Sequence, residues 1–294
     1  MEIRRAERKK AKLRLGIAAP SGAGKTYSSL LMAFGIGGKI GLIDTEHGSG
    51  DLYAHLGEYD IISIEAPYTV NKYREAIKAF ESAGYTTIII DSLSHAWAGD
   101  GGLLDKQGKM ADRGTNSFAA WRTITPEHNA LVDAMLQSPC HIIATMRAKQ
   151  EYILETNDKG KQQPKKVGMA PVQREGMEYE FTVMLDVDMG HIASASKDRT
   201  SLFDGQFFKI EKKTGETLLE WLENGVVPAL SESVKADFLL TINEAETEDA
   251  LKTAYTKAYK AAKAINDKTA MDAFEKSKDA RKAALQPTTE DVTQ

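Results

Sequence analysis

One octapeptide constrains this chain more than any other feature: Ala19-Pro20-Ser21-Gly22-Ala23-Gly24-Lys25-Thr26, which follows an apolar run and opens a segment of helical spacing. Glycines at 22 and 24 let the backbone turn so that successive N–H groups converge, and the following helix adds partial positive charge at its N-terminus. Lys25 then stands where an ammonium reaches terminal phosphates, and the Thr26 hydroxyl where it can ligate Mg2+. Ser21, Gly22, Ala23, Gly24, Lys25, Thr26 and Tyr27 form the expected ATP site. Ala19 replaces the usual first glycine, and a small residue suffices where a strand leaves a sheet. A glycine-rich turn without a ligand is the alternative.

Such a loop belongs on a sheet, and the sequence supplies one. LRLGIAA (13–19), KIGLIDT (39–45), TTIIIDS (86–92) and HIIATM (141–146) are continuous apolar runs separated by helical segments. That pattern predicts buried parallel strands in an α/β fold with a mostly parallel central sheet. Right-handed crossovers place the carboxyl ends of these strands on one edge, where a ligand sits. Thr26 to Phe34 reads as a helix ended by Gly35, and Asn71 to Ala83 as a second one. The stretch 116–137 reads as helical on both sides of a break at Pro126. Residues 150–178 are polar and rich in Gly, Lys and Gln, and read as a loop that orders on binding. Strand signals return at 179–188, 191–197 and 206–210 as hairpins extending the sheet, and Leu218 to Glu223 closes the domain as a short helix. The expected division is an ATPase domain over 1–228, a small C-terminal helical region over 229–286 and a tail over 287–294.

Two carboxylates fall on the predicted ligand edge. Asp91 ends Thr-Thr-Ile-Ile-Ile-Asp and fits a residue that orients Mg2+ through its water shell, although a strand-end aspartate can also cap a helix. Glu46 follows the second run and can polarise an attacking water. Asp44 competes for that role, and an exposed loop glutamate is the plain alternative.

A net charge of −4 makes the whole molecule no obvious polyanion binder. Two basic clusters stand out against it: Arg4, Arg5, Arg8, Lys9, Lys10, Lys12 and Arg14, and the later Lys159, Lys161, Lys165 and Lys166. On charge alone both read as solvated faces. No apolar run approaches 18 residues, no secretory stretch is evident, and Cys140 is single, so the expectation is a cytoplasmic protein with a packed thiol and no membrane partner. His47, His95 and His191 show no metal-ligand spacing and read as structural.

The residues around Glu46 carry a resemblance. Ile43-Asp44-Thr45-Glu46-His47, with Tyr53 seven positions beyond the glutamate, is similar to the segment Ile-Asp-Ala-Glu-His and its following tyrosine in bacterial RecA. Ile-Ile-Asp91-Ser92 matches the superfamily's Walker B strand, and Lys197-Asp198-Arg199 is similar to the Lys-x-Arg finger of DnaB-type helicases and related recombinases. Over residues 10–225 the chain resembles RecA-superfamily P-loop ATPases, close to phage-encoded RecA-like ATPases associated with single-strand annealing recombination. The resemblance implies a RecA-like P-loop NTPase core, Glu46 as catalytic glutamate and Tyr53 as a stacking partner for adenine. It implies Lys197 and Arg199 acting on a neighbouring subunit's γ-phosphate, and a phosphate-sensing polar residue at Thr145 or Arg147. It also implies a nucleic-acid loop at about 154–174 carrying those four lysines, with Tyr152 available to stack. A surface Lys/Arg pair is the alternative to the finger.

The expected function is therefore an ATPase, ring- or filament-forming and acting on single-stranded DNA in recombination, repair or replication. A replicative helicase or helicase loader, and a nucleotide-gated ATPase acting on proteins without DNA, are the rivals. A small-molecule kinase is disfavoured, since neither lid nor acceptor pocket is evident.

Overall fold

The computed structural model describes residues 5, 7–156, 162–225, 229–230, 232–265 and 267–285, with the backbone alone over 150–156 and 162–168. Two compact units result: Ala11–Glu223, and the residues after Glu223 together with those up to Lys10. No described helix is long and apolar enough to cross a membrane.

The first unit is built on strands β1 (Arg14–Ala19), β2 (Ile40–Asp44), β3 (Asp60–Ser63), β4 (Thr87–Asp91), β5 (His141–Thr156), β6 (Gln162–Pro171), β7 (Val183–Val187), β8 (Ala193–Asp198) and β9 (Phe207–Phe208). Their order is β3-β2-β4-β5-β1-β7-β8-β9, with β6 paired to β5 alone. Strands β3 to β7 along this path run parallel, and β8 and β9 add on antiparallel. The apolar runs of the sequence lie at its centre because a parallel sheet is covered on both faces. Side-chain alternation assigns the faces: Ile88 and Ile90 join one core, and Ile89 between them joins the other. Helices α2 (Val70–Ser82), α3 (Leu93–Ala98), α4 (Leu103–Asp112) and α5 (Ser117–Leu136) cover the first face, and α1 (Lys25–Ile36) and α6 (Lys212–Glu223) the second. Each fully buried isoleucine contributes about 1.5–3 kcal/mol through lost apolar surface.

Several expectations are corrected here. Gly35 does not end α1; the helix runs to Ile36, and Gly37 closes it at φ 79°. Gly35 is instead a contact glycine, since a Cβ there would lie 2.0 Å from the Lys212 carbonyl oxygen of α6. Gly215 of α6 answers it, because its Cβ would meet the Met32 oxygen at 2.2 Å. The expected break at Pro126 is absent, for α5 is one helix of 20 residues. Pro126 and Arg122, whose carbonyl loses its helical donor, are both exposed, so water can serve that carbonyl.

Within the polar stretch 150–178, the described residues 150–156 and 162–171 are strand and not loop. Beyond Arg147 strand β5 leaves the parallel sheet and pairs antiparallel with β6, from Ala148↔Pro171 to Thr156↔Gln162, as a two-stranded arm. Lys165 and Lys166 lie on β6 and Tyr152 on β5, while Lys159 and Lys161 fall outside the described residues. Strand β3 was not foreseen, and it is a short, half-exposed edge.

The N-terminal basic cluster is also not wholly a solvated face. Arg14 is 7% exposed, and its guanidinium donates to the carbonyl oxygens of Leu13 and Cys140 at 2.8 Å, Leu136 at 2.9 Å and Ser138 at 2.5 Å. A cation there satisfies the end of α5 and its negative dipole. Burial pulls this guanidinium down to about 10. Lys12 lies beside His141 at 3.3 Å.

The second unit holds three described helices, α7 (Glu232–Asn243), α8 (Glu248–Ala264) and α9 (Lys268–Leu285). Leu251, Ala258 and Ala262 of α8 meet Ile242 of α7 and Ala270 and Phe274 of α9 in a core of its own. Thr247 caps α8 by accepting from the Ala250 N–H at 3.2 Å. The Asp267 carboxylate accepts from the Ala270 N–H at 3.0 Å and the Leu230 N–H at 2.8 Å.

Candidate active site

The octapeptide joins the end of β1 to the start of α1. Gly22 at φ 83° and Gly24 at φ 86° take the left-handed conformation that side chains resist. Helix α1 starts without a side-chain cap and without an acidic residue in its first turn, which leaves its N-terminal N–H groups and dipole for an anion. Lys25 Nζ donates back to the carbonyl oxygens of Ala19 and Pro20 at 3.2 and 3.1 Å, so the ammonium is held over the loop. Burial lowers its pKa, while Asp91 and Glu46 raise it in opposition.

The carboxylates come from the neighbouring strands. Asp91, at the end of β4, is 1% exposed, and its two oxygens accept from Thr26 Oγ1 and Thr145 Oγ1 at 2.5 Å each. Burial raises its pKa, and the two hydroxyls only partly oppose that shift. A hydroxyl and a carboxylate side by side are the hard oxygen donors that Mg2+ prefers, so this pair fits the ion. The peptide joining Asp91 to Ser92 is cis.

Glu46 lies two residues past the end of β2, the strand paired with that of Asp91. Its Oε1 accepts from Ser92 Oγ at 2.9 Å and Arg147 Nε at 3.0 Å, and its Oε2 from Arg147 Nη2 at 2.5 Å. Burial pushes the carboxyl up, but the Arg147 and Ser92 hydrogen bonds and the Arg147 charge outweigh it and hold it below the usual value. Asp44 is engaged otherwise, for its buried carboxylate accepts from the backbone N–H of Glu46 at 2.6 Å and of Gly50 at 3.2 Å. It shapes the loop that presents Glu46.

The remaining predicted residues divide into two groups. Tyr53, in a 3-10 helix over Ser49–Leu56, meets Tyr27 edge to face at 6.0 Å, which brings both rings to the side of the loop. Thr145 is wholly buried and its hydroxyl is spent on Asp91. Lys197 and Arg199 do not join the site of their own chain. Lys197 pairs with Met184, which is level with Gly16, and the Arg199 N–H donates to Thr182, which is bound to Arg14. Both cations thus lie beside the beginning of β1, whereas the phosphate loop follows its end. Their side chains donate to backbone oxygens of the 3-10 turn Met177–Glu180, Lys197 to Glu178 at 3.0 Å and to Tyr179 at 2.5 Å, and Arg199 to Tyr179 at 3.2 Å.

Three features of the site carry little or no signal in the sequence. His191, in the turn between β7 and β8, has Nδ1 3.1 Å from the Ala23 carbonyl oxygen of the phosphate loop. Thr45 Oγ1 lies 2.7 Å from His95 Nδ1 and accepts from the Ser92 N–H at 2.9 Å, fixing the segment after Asp91. The Arg147–Glu46 pair joins residues 101 positions apart. Only His191 had a local hint, a glycine–histidine dipeptide between two strand signals. Among the described residues no cluster of three or more His, Cys, Asp and Glu stands ready to hold a metal.

A search of curated proteins gives no significant match. A family match covers residues 11–221, nearly the whole of the sheet unit, and that family is described as an AAA domain. With its phosphate loop, buried Asp91 and mostly parallel sheet in place, the chain belongs to the AAA domain family, AAA_24, of nucleotide-binding P-loop ATPases.

Proposed function

We propose that this ATPase works on single-stranded DNA, assembled as a ring or filament, in recombination, repair or replication such as a phage carries out. The observation that carries the reading is the continuity of β5. Over His141–Arg147 it lies in the sheet next to β1, between the phosphate-loop strand and the Asp91 strand; from Ala148 it becomes the arm. A ligand on the arm therefore holds the same strand that supplies Thr145 and Arg147. Lys165 and Lys166 on β6, with Lys159 and Lys161 between the two strands in the sequence, give this region the composition of a phosphate binder.

In this reading Thr26 and Asp91 hold Mg2+, and Lys25 with the N–H groups of Gly22 to Thr26 holds the β and γ phosphates of ATP. Tyr27 and Tyr53 flank the base. Held by Thr26 and Asp91, Mg2+ would supply positive charge to offset the charge that develops in phosphoryl transfer. Glu46 orients and polarises the attacking water. Lys197 and Arg199, remote from their own loop, serve the site of the neighbouring copy. The resemblance of Ile43–His47 to RecA supports the role of Glu46, just past the strand paired with that of Asp91.

Phosphate release with and without oligothymidylate, at low and high salt, tests the reading. Stimulation by the strand and binding that weakens as salt rises are expected. Neither stimulation nor salt-sensitive binding would remove the nucleic-acid part and favour a protein partner. Arg199→Ala should lose turnover that extra ATP does not restore; normal turnover in that variant would remove the neighbour-site assignment.

A further inference from the structure

The phosphate loop is not shaped by its own glycines alone. The turn between β7 and β8, Asp188 to His191, lies along it. The Met189 methyl stands 3.7 Å from where a Cβ on Gly22 would be, and His191 Nδ1 stands 3.4 Å from where one on Gly24 would be. Nδ1 is also 3.1 Å from the Ala23 carbonyl oxygen. A carbonyl oxygen only accepts, so Nδ1 carries the proton and donates.

The turn is knit within itself. The Asp188 N–H donates to the Ile192 carbonyl oxygen and the His191 N–H to the Asp188 carbonyl oxygen, each at 3.0 Å. The Asp188 carboxylate accepts from the N–H of Gly190 at 2.8 Å and of Ile192 at 2.9 Å. His191 sits at φ 62°, a left-handed conformation that a side chain resists. The residue is exposed, so no core demands a histidine there. A strained position that packing does not explain points to a task.

Peptide geometry supplies the task. In a trans peptide the C=O and the next N–H point in opposite directions. Holding the Ala23 carbonyl therefore turns the Gly24 N–H away from His191, and among the described residues no backbone or side-chain acceptor meets it. A phosphate oxygen is the partner that a glycine-rich loop before a helix is built to take. Without the histidine this peptide can rotate, and a nucleotide must order it on arrival.

We propose that His191 is a positioning residue for the phosphate loop: through the Ala23 carbonyl it fixes the Gly24 N–H for a phosphate oxygen before nucleotide arrives. The inference rests on the reading of the loop as the nucleotide site.

Calorimetric titration of the full chain with Mg-ADP and Mg-ATPγS, together with steady-state ATP turnover, tests it. His191→Ala should raise Kd for both nucleotides about tenfold, and KM with it, while kcat stays within about twofold. His191→Asn keeps an N–H donor at the δ position and tolerates positive φ, so it should restore affinity to within about twofold. His191→Gly fits φ 62° but has no donor; it should bind as weakly as His191→Ala, and it carries the test if His191→Ala does not fold. Full affinity in His191→Gly would assign the effect to backbone strain and overturn the proposal. So would a lowered unfolding midpoint with unchanged affinity of the folded variants, the mark of a merely structural turn. No binding of either nucleotide by the unaltered protein would remove the site itself, and the inference with it.

Discussion

The two units bury different things. Around the candidate site the sheet unit takes Asp91, Thr145, Thr45, Asp44 and His95 out of solvent, and further along β1 it buries Arg14 and His141. Among the described residues of the helical unit one charged side chain is buried, Asp267, and the rest of the core is alanine, leucine, isoleucine and phenylalanine. Desolvating polar groups costs several kcal/mol unless each finds a partner, so a fold gathers them where they perform a task. The helical unit needs only to pack. Its small residues on α8 and α9 do that through close approach.

The largest expected effect tests this difference at its centre. Asp91→Asn should cut ATP turnover by at least about a hundredfold while the unfolding temperature holds or rises, because the carboxylate is buried with hydroxyls and without a paired cation. Calorimetry that showed a marked loss of stability would mean Asp91 is structural first. Arg14→Met should do the reverse. It strips four carbonyl oxygens of their donor and should cost about 3 kcal/mol of stability, seen as a lowered denaturant midpoint in the sheet unit.

The third effect is one of pH. Burial first, then Lys12 and Arg14, depress His141 from 6.5 to about 3. Its unfolded form binds the extra proton between those values, so stability is full above pH 6.5 and falls as pH drops toward 3, by up to roughly 1.4 kcal/mol per unit. His141→Gln should flatten that slope; an unchanged slope would place the titration elsewhere. Smallest is Asp267→Asn in the helical unit. Weakened capping of α9 should cost about 1 kcal/mol with turnover unaffected, and a loss of turnover would show that the division of labour between the units is false.

The same contrast explains what the sequence made legible. Continuous apolar runs announced β1, β2, β4 and β5, because burial on both faces leaves no polar alternation to obscure them. The phosphate loop was legible because its chemistry is local. Strand β3 escaped because Asp-Ile-Ile-Ser is short and half-exposed at an edge. The arm escaped because strands paired outside the sheet need no apolar side chains, and Lys, Gln and Gly read as loop. Gly35 was taken for a stop, since a glycine that ends a helix and one that admits a neighbouring helix look alike. Arg14 was placed with its basic neighbours for want of any sequence mark of the α5 terminus it serves. Partnerships across the sheet, Arg147 with Glu46 above all, depend on register between distant strands.

The turn at His191 has a mechanical consequence. From that histidine, against the phosphate loop at Ala23, the chain runs along β8, through a bulge between Ala195 and Lys197, to Arg199. Six residues of extended backbone span about 20 Å, and the bulge bends the strand on the way. The phosphate loop and the two cations are therefore joined through a single strand with one bend in it. One end of β8 lies against the phosphate loop of its own chain, and the other holds two cations against the 3-10 turn Met177–Glu180.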